Sequence, residues 1–148
     1  MKVVLEFETM HPDGEITKGK EIAMMDVDQE HEAVKVMYVE AIGGEEKKTR
    51  STLWIRPNSL RVQKQGEIAS DLMYEEGCKH HTRYHTPYGS IPMTLNTKTF
   101  SHSSKGVDYQ KGQVEKRFEI VLQLLYSFDM GDGNPMEMQM QLRVAAMQ

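Results

Sequence analysis

Cysteine, tryptophan and aromatic residues are scarce in this chain, and each scarcity excludes something. The 148 residues include one cysteine, one tryptophan and 7% aromatics. A lone cysteine, Cys78, rules out an internal disulfide. No apolar run approaches the ~20 residues that a membrane-spanning helix needs. Charge of one sign does not accumulate either: 18 basic side chains stand against 22 acidic ones, for a net charge of -4. Nucleic acids and anionic membrane surfaces are drawn to a basic field, so neither is expected as a partner. The opening Met1-Lys2-Val3-Val4-Leu5-Glu6 meets charge before a signal-peptide core could form, and a cytoplasmic location is expected. Helical spacing is almost missing. Only the stretch 20–33, with Ile22, Met25 and Gln29, suits it, and that stretch also reads as a strand.

What is present is alternation. From Phe118 to Met130 every second residue is apolar: Phe118, Ile120, Leu122, Leu124, Tyr126, Phe128, Met130. Gly131-Asp132-Gly133-Asn134 follows as a turn. The alternation resumes with Met136, Met138, Met140, Leu142 and Val144, separated by Glu137, Gln139, Gln141 and Arg143. A period of two means extended backbone with one dry face, and two such runs joined by a Gly-rich turn make a long antiparallel hairpin. Shorter runs precede it: 3–9, 16–27, 33–42, 49–56, 60–65, 68–74, 79–86 and 89–102. The punctuation between them includes His11-Pro12-Asp13-Gly14, Gly43-Gly44-Glu45-Glu46 and Pro57-Asn58. Ser101 to Gly112 reads as a loop. Pro92 sits on the outward face of its strand and marks an edge or a bulge there. Evenly spaced short strands with short connections predict a single all-β domain, an antiparallel up-and-down β-barrel of about eight to ten strands.

The middle of the chain carries a family pattern. Tyr84-His85-Thr86-Pro87-Tyr88-Gly89, followed by Thr97 and Thr99, resembles the Tyr-x-Thr-Pro-x-Gly signature of the YwiB-like family, small bacterial proteins of unassigned function. Tyr38-Val39-Glu40 resembles that family's Tyr-x-Glu element, and Gln65-Gly66 its Arg-x-Gly turn, with Lys64 where arginine is usual. Gly112 and the long strand after it fit as well. The resemblance implies a lipocalin-like (calycin-type) barrel. It implies no activity and no catalytic residue. A lysine in place of arginine loses the bidentate fork of a guanidinium.

Residues that bear chemistry each have an ordinary reading beside the functional one. His81 and His85 lie four apart, but on a strand that separates them by ~13 Å, too far for one metal. With His80 and Arg83 they read as a solvated polar strand. The series Met136, Met138, Met140 resembles a copper-binding methionine motif, since thioethers suit Cu(I). Its strand period makes it core or pocket lining instead, and methionine packs adaptably. Cys78, near Lys79 and two histidines, has no oriented base and reads as a turn thiol. Lys47, Lys48, Arg50, Arg56, Arg61 and Lys64 read as a solvated sheet face, since stacking aromatics are not interleaved with them. Glu40 stands out among the carboxylates: its ordinary reading is a structural hydrogen bond at a strand end, and its functional one is a buried Glu–Tyr or Glu–Lys pair that could anchor a ligand head group.

These readings point to a non-enzymatic binding protein without metal or cofactor, holding a small apolar or amphiphilic ligand in the barrel. The candidate apolar lining includes Met93, Leu122, Tyr126 and Met138, and the candidate polar groups are Tyr38, Glu40 and Tyr84. The alternative is a filled barrel acting as an interaction or regulatory module through its surface, with Trp54 and the basic residues on it. Oligomeric state is not legible in the pattern.

Overall fold

Ten strands account for nearly all of the chain in the computed structural model, which describes residues 1–41 and 48–147. They are β1 (Lys2–Met10), β2 (Ile16–Asp28), β3 (Ala33–Ala41), β4 (Lys48–Arg56), β5 (Ser59–Gly66), β6 (Ser70–Glu75), β7 (Lys79–Thr86), β8 (Gly89–Asp108), β9 (Gln113–Asp129) and β10 (Met136–Ala146). The expected Gly43–Glu46 turn and Lys47 lie outside the described residues. No helix in the described chain is long and apolar enough to cross a membrane.

All the strands join one antiparallel sheet in the order β6-β5-β4-β3-β2-β1-β10-β9-β8-β7. Each strand therefore pairs with its chain neighbour, and β1 pairs with β10 to join the two halves. This is the up-and-down topology that short hairpin connections dictate. The two free edges, β6 and β7, then meet. Ala69 and His85 exchange backbone hydrogen bonds of 3.0 and 2.8 Å, and Gly77 N–H donates to the Thr97 carbonyl at 2.8 Å. The sheet is thus nearly closed into a barrel.

Side-chain polarity places the sheet's faces. The inward set is Val3 and Leu5 from β1, Val34 and Val36 from β3, Leu53 and Ile55 from β4, and Ile120, Leu122 and Leu124 from β9, all at most 4% exposed. Burying each such side chain stabilises the fold by ~1.5–3 kcal/mol relative to leaving it in water. At one end Gln29 Nε2 donates to the Gln110 carbonyl at 3.1 Å, tying the β2–β3 turn to the β8–β9 turn. At the other end Asp129 Oδ1 accepts from the Gly131 and Gly133 amides at 2.8 and 3.3 Å, which closes the β9–β10 turn.

Three sequence readings are settled or changed here. The ambiguous stretch 20–33 is strand as far as Asp28, whose carboxylate accepts from the His31 amide at 3.1 Å and stops it with a turn. The expected loop from Ser101 to Gly112 is instead mostly strand, because β8 runs to Asp108. Register shifts between Thr97 and Thr99 and between Lys105 and Val107 break the alternation. A bulge of this kind inverts the phase, so Phe100, His102 and Ser104 turn inward. Finally, Lys64 does not join the solvated face. It follows Leu60 and Val62 at strand period and points into the barrel.

Candidate functional site

The inward side chains are apolar and buried at one end of the barrel and more polar at the other. Along five strands the inward side chains pass from buried to half-buried toward the end that carries the 11–15, 87–88 and 130–135 turns. On β1, Val3 and Leu5 give way to Phe7 and Thr9. On β2 the series is Met25 and Ala23, then Glu21. The change falls between Val36 and Tyr38 on β3, between Leu60 and Val62 on β5, and between Leu95 and Met93 on β8. Eight-stranded barrels are just filled by their own side chains, and ten strands enclose a wider bore. Large aliphatic residues fill the lower half of that bore. Above them lies a more polar half of the bore, in which many inward side chains are half-buried, here termed the cup.

Polar groups converge in the cup. Lys64 Nζ lies 3.4 Å from Glu40 Oε2, with side chains 23% and 19% exposed, so this ion pair is largely shielded from water. Tyr38 shares the Glu40 face of β3 and sits opposite Ser51 of β4. Burial first, then the Glu40 carboxylate beside it, pushes the Tyr38 phenol well above the ordinary tyrosine value. The same two causes, in the same order, raise the Tyr84 phenol on β7. Tyr38, Glu40 and Tyr84, from well-separated strands, therefore share one electrostatic environment. Ser51, Ser70 and Thr97 also point inward; Ser51 stands beside the Tyr38 phenol, and among the described residues the buried Ser70 and Thr97 hydroxyls have no hydrogen-bond partner. Such groups carry a desolvation cost that a bound polar ligand could relieve.

The other candidate lining residues lie at different depths. Met93 is half-buried at the cup wall, opposite Thr82 of β7. Tyr126 and Met138 face each other across β9 and β10 and are 7% and 5% exposed. The Tyr126 ring meets Tyr74 edge-on at 5.0 Å, so this pair forms part of the floor. Leu122 is fully buried in the packed half, away from the polar groups. Two contributors to the cup were missed by the sequence reading. Strand parity with Leu60 and Val62 could have found Lys64, and parity with Ala23 and Met25 could have found Glu21.

The outer surface carries several internally paired polar groups, beside the exposed apolar Ile22, Met24 and Val39. Trp54 donates from Nε1 to Gln63 Oε1 at 3.0 Å, and Lys35 Nζ stands 5.0 Å over its ring. Arg61 forms a bidentate pair with Asp71 at 2.9 and 2.7 Å, which holds the Asp71 carboxyl below the usual range. Arg143 bridges Glu6 and Glu119. His81 and His85 are exposed, as is Cys78 in its turn. Among the described residues no group of three or more His, Cys, Asp or Glu side chains is placed to hold a metal ion.

Fold and interior together define a class: a nearly closed, ten-stranded antiparallel barrel with one apolar, packed end and one more polar end. Residues 6–142 match the family model described as a domain of unknown function (DUF1934), and the chain belongs to that family. The crystal structure of the ywiB protein from Bacillus subtilis is similar over 99% of this chain and 92% of its own, with a TM-score of 0.77 and 14% identity. At that identity the likeness speaks for the fold alone. No curated protein matches the sequence. The YwiB-like resemblance read from Tyr38–Glu40 and Tyr84–Gly89 is supported by both matches.

Proposed function

We propose that this protein is a non-enzymatic, cytoplasmic binding protein of lipocalin-like design that holds one small amphiphilic molecule in the cup. The apolar part of the ligand lies against Leu72, Met93 and Phe128, and its polar end meets Tyr38, Glu40, Lys64 and Tyr84. The observation that carries this reading is the largely shielded Glu40–Lys64 pair on the inside of the barrel, in its more polar half. Removing two charges from water is costly, and packed apolar residues often serve a core at least as well. An ion pair at a cup wall has a use that a core pair lacks, because it presents both signs of charge to a guest. Binding is favoured over catalysis because, among the described residues, no nucleophile with an adjacent oriented base accompanies the pair. The reduced, unpaired thiol of Cys78 suits the cytoplasm.

Titration with the uncharged fluorophore Nile red tests the reading. One dye per chain is expected to bind with a blue-shifted emission. Thr82→Trp, which places a bulky ring in the cup, is expected to weaken binding by at least about tenfold. Binding that is undiminished in Thr82→Trp would place the dye elsewhere and overturn the proposal.

A further inference from the structure

The cup has an asymmetry of charge that coincides with a break in the sheet. Strands β2 and β3 pair from Asp28↔Ala33 as far as Met24↔Met37, and there the ladder stops although both strands continue. Continuing the same register would set Ala23 opposite Tyr38 and Glu21 opposite Glu40. Both glutamates face inward: Glu21 is the cross-strand partner of buried Leu5 and precedes buried Ala23 and Met25 at strand period. Like charges directly opposite one another destabilise a strand pair. The two carboxylates lie three residues beyond the last paired position on each strand. Lys64 neutralises Glu40 only, and among the described residues Glu21 has no ion-pair partner. Among the described strand residues the inward charges of the cup are then Glu21, Glu40 and Lys64, which sum to one unit negative.

A second observation points the same way. Ser51, beside the Tyr38 phenol, and Ser70, opposite Lys64, are 0% and 8% exposed, and among the described residues the inward Ser70 hydroxyl has no partner. Hydroxyl oxygens accept hydrogen bonds from an ammonium group, as carboxylates do. The faces of Tyr38 and Tyr84 add the π surface that attracts cations. We propose that the cup selects an amphiphile whose polar end is a protonated amine, held where β2 and β3 part, between Glu21 and Glu40. This inference rests on the ligand-binding reading above and narrows it to a chemical class. A divalent metal fits less well, because the Lys64 ammonium already stands at Glu40. With the amine in place the repulsion across the gap is relieved, so the ligand also strengthens the β2–β3 seam.

Calorimetric titration of the full chain with decan-1-amine, decan-1-ol and decanoate tests the inference with the chain length held constant. The amine is expected to bind at least about tenfold more tightly than the alcohol, and decanoate most weakly. Glu21→Gln, an isosteric change at a half-buried site, is expected to erase most of the amine's advantage and leave the alcohol unchanged. Equal binding of amine and alcohol, or a preference for decanoate, would overturn the amine inference while the cup still binds amphiphiles. Loss of all three ligands alike in Glu21→Gln would also overturn it, by making the residue structural. Failure of all three to bind the native chain would overturn both readings.

Discussion

At Gly66 the backbone takes φ +134°, and a Cβ there would overlap the carbonyl oxygen of Lys48. Gly89 has nearly the same φ, +133°, with open space around it. The two positions separate conformational strain from collision. Gly89→Val is expected to cost ~1–3 kcal/mol from backbone strain alone. Gly66→Val is expected to cost more, because the clash adds to the strain. Denaturant midpoints check both, and equal midpoints would show that the Lys48 carbonyl moves aside freely. His102 supplies a test in pH. It is turned inward by the β8 bulge, its Nε2 lies 2.7 Å from the Tyr109 hydroxyl, and burial holds its imidazole below the ordinary value of 6.5. A lowered histidine means that the unfolded chain binds the proton more readily than the folded one. Its contribution is therefore fully present above about pH 6.5 and is lost as pH falls toward the folded value. The melting temperature of the native chain is expected to drop more between about pH 7.5 and pH 5 than that of His102→Asn, compared in the same buffers.

Strand by strand, legibility in the sequence followed the regularity of the alternation. β9 and β10 read clearly because both keep period two over their whole length, and the pairing of Met138 with Tyr126 follows from that hairpin. β8 misread beyond Ser101 because two register shifts change which residues face in, and a broken phase looks like a loop. β2 was obscured differently. Its outward face carries the exposed Ile22 and Met24, while its inward face carries Glu21, so its polarity runs against expectation. The same inversion hid half of the cup. Glu40, Tyr38 and Tyr84 were legible as a family-like pattern, but Lys64 looked like one more surface lysine. Register can be tested directly on the last strand. Met138 is 5% exposed and faces inward, so Met138→Asp buries an unpaired carboxylate at a cost of several kcal/mol. Against a total stability of ~5–15 kcal/mol that leaves little folded protein. Gln139 faces solvent, and Gln139→Asp is expected to cost under ~1 kcal/mol. A one-residue slip would exchange the two outcomes in circular dichroism melts.

For the whole molecule, the barrel is a division of labour along one axis. The packed half supplies the cohesion: Val3, Leu5, Val34, Val36, Ile55, Ile120, Leu122 and Val144 are all wholly shielded from water. That cohesion lets the other half keep unpartnered hydroxyls, a shielded ion pair and an interrupted β2–β3 ladder without loss of the fold. Up-and-down closure matters to this arrangement, because every wall of the cup is continuous with a strand anchored in the packed half. The methionines report on the division. Met93 lines the more polar end, Met25 lies in the packed interior at 2% exposure, and Met24 faces outward at 47% exposure. Methyl-carbon NMR of methionine-labelled protein, titrated with decan-1-ol, therefore reads out the site of binding without any substitution. The account predicts saturable shifts at Met93 with Met24 unmoved and Met25 little affected. Shifts confined to Met24 or its outward neighbours, or no saturable shift at Met93, would contradict it.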